Sequence, residues 1–203
     1  MEFYELHPIT PQLRFINKAV EVLRNGGVII YPTDTIYGIG CDIFNRDALQ
    51  RVYDIKHEAG TKLFSFICPD LKDISKYAKV SDYAYKTMKK LLPGPYTFVL
   101  PAAKEVPKML WTKRKTVGIR VPNNNIALTL AKELGNPIVS TSATKRKGEI
   151  LFDPEEIRLI FNPHVDLMLS IGPLDGKPSS IIDLSEEEPE IIREGAGDVS
   201  IFA

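Results

Sequence analysis

Apolar residues recur along this chain with two periods. Leu13, Ile16, Ala19, Val20 and Leu23 fall three or four apart and predict a helix, with Thr10-Pro11 as cap and first-turn proline and Asn25-Gly26 as its stop. The same spacing at Leu49, Val52 and Ile55, capped by Asn45 or Asp47, predicts a second helix ending near Lys56. Further helices are predicted from Ser81 to Leu92, over Ile126, Leu130 and Leu134 up to Gly135, and after Asp153-Pro154-Glu155-Glu156. Between them lie short β-rich runs. These are Phe3 to His7, Val28 to Ile30, Gly38 to Phe44, Leu63 to Cys68, Tyr96 to Leu100, Thr116 to Val121 and Pro137 to Ser140, then Val165 to Ser170, Ser180 to Leu184 and Ile191 to Arg193. Strands interleaved with helices predict an α/β fold, a single domain over residues 1–203 built on a twisted mixed sheet with flanking helices.

The stretch from Gly26 to Cys41 organises the rest. A buried strand is followed by Pro32 and then by Thr33, Asp34 and Thr35, a polar cluster where α/β sheets gather ligands. The same residues also suit a plain strand–turn–strand, in which Thr and Asp satisfy the turn's own amides.

Composition narrows the classes. The 203 residues carry 26 Lys and Arg against 26 Asp and Glu, so net charge gives no global pull toward nucleic acid or membrane. Charge is uneven all the same. A basic middle runs from Lys86 through Lys113, Arg114 and Lys115 to Lys145, Arg146 and Lys147, ahead of an acidic stretch near Glu186 to Glu190. Cys41 and Cys68 sit in apolar runs and read as buried free thiols; with no signal pattern and no membrane-length apolar run, a reducing cytoplasm is the expected location. No CxxC or histidine cluster suggests a metal held by the protein.

Hydroxyls and cations recur at predicted strand ends: Thr33 and Thr35, Thr116, Arg120, Ser140 to Ser142, Ser179 and Ser180, Arg193. Such a set suits a small anion or zwitterion beside a phosphate. Lys56, at a helix end, either reaches a phosphate or complements the helix dipole. There is no P-loop, no GxGxxG and no Ser-His-Asp arrangement, so any catalysis works by positioning and charge stabilisation rather than a covalent intermediate.

Several segments in order carry a family likeness: residues 26 to 40, Leu92-Pro93-Gly94-Pro95-Tyr96-Thr97, Thr116 to Pro122, Ser140-Thr141-Ser142-Ala143, Lys177 to Asp183 and Arg193-Glu194-Gly195. Together they resemble the YrdC-domain family, which includes threonylcarbamoyl-adenylate synthases. Phe64 to Cys68, Lys113 to Thr116 and the ending Arg193 to Val199 resemble its YciO-like branch. The resemblance implies a concave, positively charged face that binds L-threonine and ATP and takes bicarbonate. It further implies synthesis of threonylcarbamoyl-AMP and pyrophosphate, with Mg²⁺ on the phosphates, for modification of tRNA adenosine 37. Double-stranded RNA and other threonylcarbamoylation proteins are implied partners. By resemblance, Thr33, Arg120, Ser140 and Ser180 hold threonine. Lys56, Thr116, Ser142 and Arg193 meet the nucleotide, and Lys56 and Arg120 serve catalysis.

Two positions depart from the synthase pattern: Glu58 stands where an Arg is expected, and Thr144 where an Asn is. A glutamate facing a phosphate exchanges attraction for repulsion, and a threonine lacks the amide's second donor. Two alternatives therefore stay open: an RNA-binding protein without synthase activity, and a hydrolase that removes the threonylcarbamoyl group from tRNA with Glu58 as a conceivable base.

Overall fold

Successive residues of the second strand enter different cores: Val28 and Ile30 pack on one face of a sheet, Ile29 and Tyr31 on the other. This is the two-residue period of a pleated strand, and it recurs at Phe66 and Ile67, Val139 and Ile138, and Met168 and Leu167. The structure, a computed structural model, describes residues 1–58, 64–72, 74–110, 114–145, 148–174 and 176–202. Trp111, Lys113, Arg146, Lys147 and the side chains of Lys56 and Glu58 lie outside the described residues.

The elements in chain order are β1 (Glu2–Glu5), α1 (Leu13–Arg24), β2 (Ile29–Tyr31), β3 (Gly38–Asp42), α2 (Arg46–Glu58), β4 (Ser65–Ile67), α3 (Asp82–Leu91) and β5 (Tyr96–Pro101). They continue with β6 (Thr116–Arg120), α4 (Asn125–Leu134), β7 (Ile138–Ser142), α5 (Pro154–Phe161), β8 (Leu167–Ser170), β9 (Ser180–Asp183) and β10 (Glu190–Arg193). Among the described residues the strands form one mixed sheet of ten, in the order β1-β8-β2-β3-β7-β4-β6-β5-β9-β10. The α/β architecture expected from the sequence is the one that forms.

Helix ends follow local chemistry. Asn45 Oδ1 accepts from Ala48 N ahead of α2, Ser81 Oγ from Ala84 N ahead of α3, and Asn124 Oδ1 from Ile126 N and Ala127 N ahead of α4. Gly135, at φ 87°, closes α4 in the left-handed region. The first helix departs from expectation. Thr10 is not its cap, because the His7 imidazole draws in the backbone N–H groups of Ile9 and Thr10, and α1 begins only at Leu13. Cys41 and Cys68 are free and buried, and burial pushes both thiols up to about 12. No helix among the described residues is long and apolar enough to cross a membrane.

The two faces of the sheet are covered unequally. On one, α2, α3 and α5 contribute Ala48, Leu49, Val52, Ala84, Met88, Ile157 and Phe161 to a core that reaches from β8 to β9. On the other, α1 and α4 pack together over β8, β2 and the ends of β7 and β4. No described residue of β5, β6, β9 or β10 joins that second core. From β6 to β10, and along β7 and β4 beyond Ile138 and Ile67, that face of the sheet therefore carries no helix among the described residues.

Candidate functional site

Because strands alternate, the side chains on that uncovered face are the ones between core residues. Ser140 lies opposite Gly40 and Ser65, Ser65 lies opposite Gly118, and Gly118 lies opposite Val99. Small residues keep the face low. A Cβ on Gly118 would stand 3.0 Å from the Phe64 carbonyl oxygen and 3.1 Å from the Thr97 methyl. The result is a recess with about 480 Å³ of empty space, counting its open mouth. Thr33, Arg120, Ser140, Ser142 and Arg193 line it, together with Ser65, Thr97 and Ser179.

Arg120 ends β6 and reaches back to the turn after β2. Its Nη2 donates to Thr33 Oγ1 at 3.2 Å, to Thr35 Oγ1 at 2.7 Å and to Asp34 Oδ1 at 2.6 Å. Asp34 Oδ2 accepts from Asn123 N at 3.0 Å. Thr33 also serves its own turn, accepting from Thr35 N and donating to the Ile36 carbonyl. The two readings of this turn are thus compatible, since the threonine that closes the turn also lines the recess. The pair is desolvated, with side chains 9% and 10% exposed, and Arg120 Nε is buried with no partner among the described residues.

Arg193, on β10, faces the same recess. Its Nε and Nη2 both grip the Ser179 carbonyl, at 3.0 and 2.7 Å, and Nη2 lies 3.3 Å from Ser179 Oγ. Burial, and then the charge of Arg120, lower its pKa. Among the described residues no carboxylate pairs with Arg193, which stands in the recess wall as a guanidinium without an ion-pair partner. Thr97 Oγ1 and Ser179 Oγ are bonded at 2.9 Å beside it.

The residues predicted from sequence are not all brought together. Ser180 turns away from the recess: its Oγ donates to the Gly197 carbonyl at 2.6 Å and accepts from Gly195 N at 3.0 Å, tying down the C-terminal segment. Strand alternation explains the difference, because Ile182 on the same side as Ser180 enters the core while Ser179 and Ile181 face the recess. Thr116 lies at the far end of β6, opposite Pro101, on the face of Arg120 but outside the recess lining. Ser140 Oγ accepts from the buried Tyr31 hydroxyl at 2.7 Å, and burial drives that phenol's pKa upward. Thr97 and Ser65 were missed. Their alternation with Phe98 and Phe66 was the available signal, but it marks a face without saying that the face stays open.

The chain matches the family model Sua5_yciO_yrdC, described as telomere recombination, over residues 21–195. It is 44% identical to YciO of Escherichia coli (strain K12), an uncharacterized protein, over 99% of this chain and 98% of that one. The crystal structure of E. coli YciO superposes with a TM-score of 0.93 over the whole of both chains. The threonylcarbamoyl-AMP synthase of Coxiella burnetii (strain RSA 493 / Nine Mile phase I) is 36% identical over 78% of this chain and 86% of its own. P. abyssi Sua5, crystallised with L-threonine, is 25% identical with a TM-score of 0.88, covering 96% of this chain and 58% of that longer one.

Proposed function

The chain belongs to the Sua5–YciO–YrdC family, and on that footing we propose that its recess binds L-threonine beside an adenylate, as a threonylcarbamoyl-AMP synthase does. One observation carries the reading: Thr33 Oγ1 and Arg120 Nη2 lie 3.2 Å apart in the wall of one recess that also holds Arg193. Arg120 would take the amino acid's carboxylate, with Thr33 and Ser140 beside it. Arg193 and Ser142, with Lys56 by family likeness, would meet the phosphates. In the proposed reaction threonine and bicarbonate give a carbamate and water. A carbamate oxygen then bonds to the α-phosphorus of ATP as the bond to pyrophosphate breaks. The chain's share is to hold the carbamate in line with the phosphorus and to offset charge building on the leaving pyrophosphate. Magnesium would arrive with ATP; the described recess lining has hydroxyls and guanidiniums for phosphate oxygens and no Asp or Glu.

Titration with L-threonine and with ATP, and pyrophosphate release from threonine, bicarbonate and ATP, test this. Binding of neither substrate at millimolar concentration would overturn it. A second reading rests on Glu58 and Thr144: the recess persists, synthesis is lost and RNA is bound. Thr144 is buried in a β-bridge with Ile150. Pyrophosphate release appearing only in the Glu58→Arg, Thr144→Asn variant, with RNA affinity falling steeply with salt in the wild type, would favour it.

The neighbouring serines give a separate check. Ser180→Ala takes the side-chain partner from the buried Gly197 carbonyl and the part-buried Gly195 N–H and is expected to cost about 1–3 kcal/mol in urea unfolding while leaving substrate affinities nearly unchanged. Ser179→Ala is expected to do the reverse, weakening ATP binding with a smaller loss of stability. A Ser180 variant that folds with normal stability and loses threonine affinity would return Ser180 to the binding set.

A further inference from the structure

Arginine grips a carboxylate best with two parallel N–H groups, and the edge formed by Nε and Nη2 is one of the two that can do so. Arg193 uses that edge on the Ser179 carbonyl. Arg120 uses half of it. Its Nη2 has two hydrogens and three acceptors around it, Thr33 Oγ1, Asp34 Oδ1 and Thr35 Oγ1. Its Nε hydrogen, on the same edge, is buried with no partner among the described residues. Asp34 does not close the second bond because its other oxygen accepts from Asn123 N at 3.0 Å. A carboxylate is therefore already in place on Arg120, held by one prong where two are available.

We propose that Asp34 is a resident stand-in for the substrate's carboxylate: an internal acid that occupies Arg120 until an incoming carboxylate, straddling Nε and Nη2, displaces it. This rests on the reading of Arg120 as the carboxylate anchor. The ligand class is a free carboxylate with room for both oxygens on that edge. Asp34 keeps the buried guanidinium compensated when the recess is empty and sets a threshold that weak, one-oxygen ligands do not cross. Displacement also frees the Asn123 amide, so occupancy of the recess is transmitted to the loop that leads into α4, whose cap is the adjacent Asn124.

Asp34→Asn keeps the shape and an acceptor for Asn123 but removes the competing charge. If Asp34 holds Arg120 nine-tenths of the time or more in the empty protein, carboxylate affinity is expected to rise about tenfold or more in this variant. The probes are L-threonine and sodium formate, read by calorimetry and by thermal shift, with L-threoninol as the ligand without a carboxylate. Tighter threonine and formate binding with threoninol unchanged supports the proposal; unchanged or weaker formate and threonine binding overturns it. Tighter formate binding in a variant that, like the wild type, ignores threonine supports the displacement and refutes the threonine reading instead. Should Asp34→Asn fail to fold, hydrogen exchange of the wild-type Asn123 amide decides. Saturating L-threonine, or formate if threonine does not bind, is expected to speed it, and slower or unchanged exchange overturns the proposal.

Discussion

Arg120→Leu is expected to cost the protein about 3–5 kcal/mol, the scale of removing one partner from a buried ion pair. It is also expected to lower L-threonine affinity beyond the reach of calorimetry. The stability loss comes from what is left behind. Asp34, with its side chain 10% exposed, keeps only the Asn123 N–H, and the Thr33 and Thr35 hydroxyls lose their shared donor. Arg120→Lys restores the charge but not the planar fork, so urea unfolding should recover part of the stability while threonine affinity stays low. Asp34→Asn combined with Arg120→Leu removes both charges and should be more stable than Arg120→Leu alone, because no unpaired carboxylate remains. An Arg120→Leu protein that unfolds at the wild-type urea midpoint would mean that the pair is solvated in solution, and the account of the recess as a desolvated anion site would fail with it.

The sequence made the elements legible and the neighbourhoods only in part. Each strand and helix announced itself through its period and its caps, and Asn45, Ser81 and Asp153 cap the helices that follow them. Thr10 did not, because its amide and its hydroxyl are both bonded to the imidazole of a histidine three residues earlier, and residue preferences alone do not rank two local hydrogen-bonding schemes. Thr33 and Arg120 could be joined on paper only through the family likeness: they are 87 residues apart, and nothing in either segment's composition points to the other. Ser179 and Ser180 show the limit most plainly. These adjacent serines, Ser180 opening β9 and Ser179 just before it, differ by a single step of alternation, and register decides which faces the recess and which pins the chain end. Which strands α1 and α4 leave bare is a matter of sheet order, β6-β5-β9-β10 lying beyond their reach, and no local pattern encodes it.

That bare face depends on glycine at one further point. At Gly38 an added Cβ would stand 2.9 Å from Ser140 Oγ and 3.2 and 3.3 Å from Cζ and the hydroxyl of Tyr31, so it would be driven into the Tyr31–Ser140 hydrogen bond. The ring cannot retreat, because Tyr31 is fully buried against α1 and α4. Gly38→Ala should therefore cost about 1–3 kcal/mol as overpacking, and more if the Tyr31 hydroxyl is left buried without an acceptor. Ser140→Ala in the same chain removes the nearest clashing atom and should return part of that stability, with Tyr31→Phe returning more by removing the stranded hydroxyl. Neither rescue should restore ligand binding, since the methyl on Gly38 and the lost Ser140 hydroxyl both alter the lining of the recess. Thermal unfolding and L-threonine titration across the three variants separate the effects. Wild-type stability in Gly38→Ala would show that strand β3 yields where the geometry says it is held, and that the floor of the recess does not need bare backbone at this position.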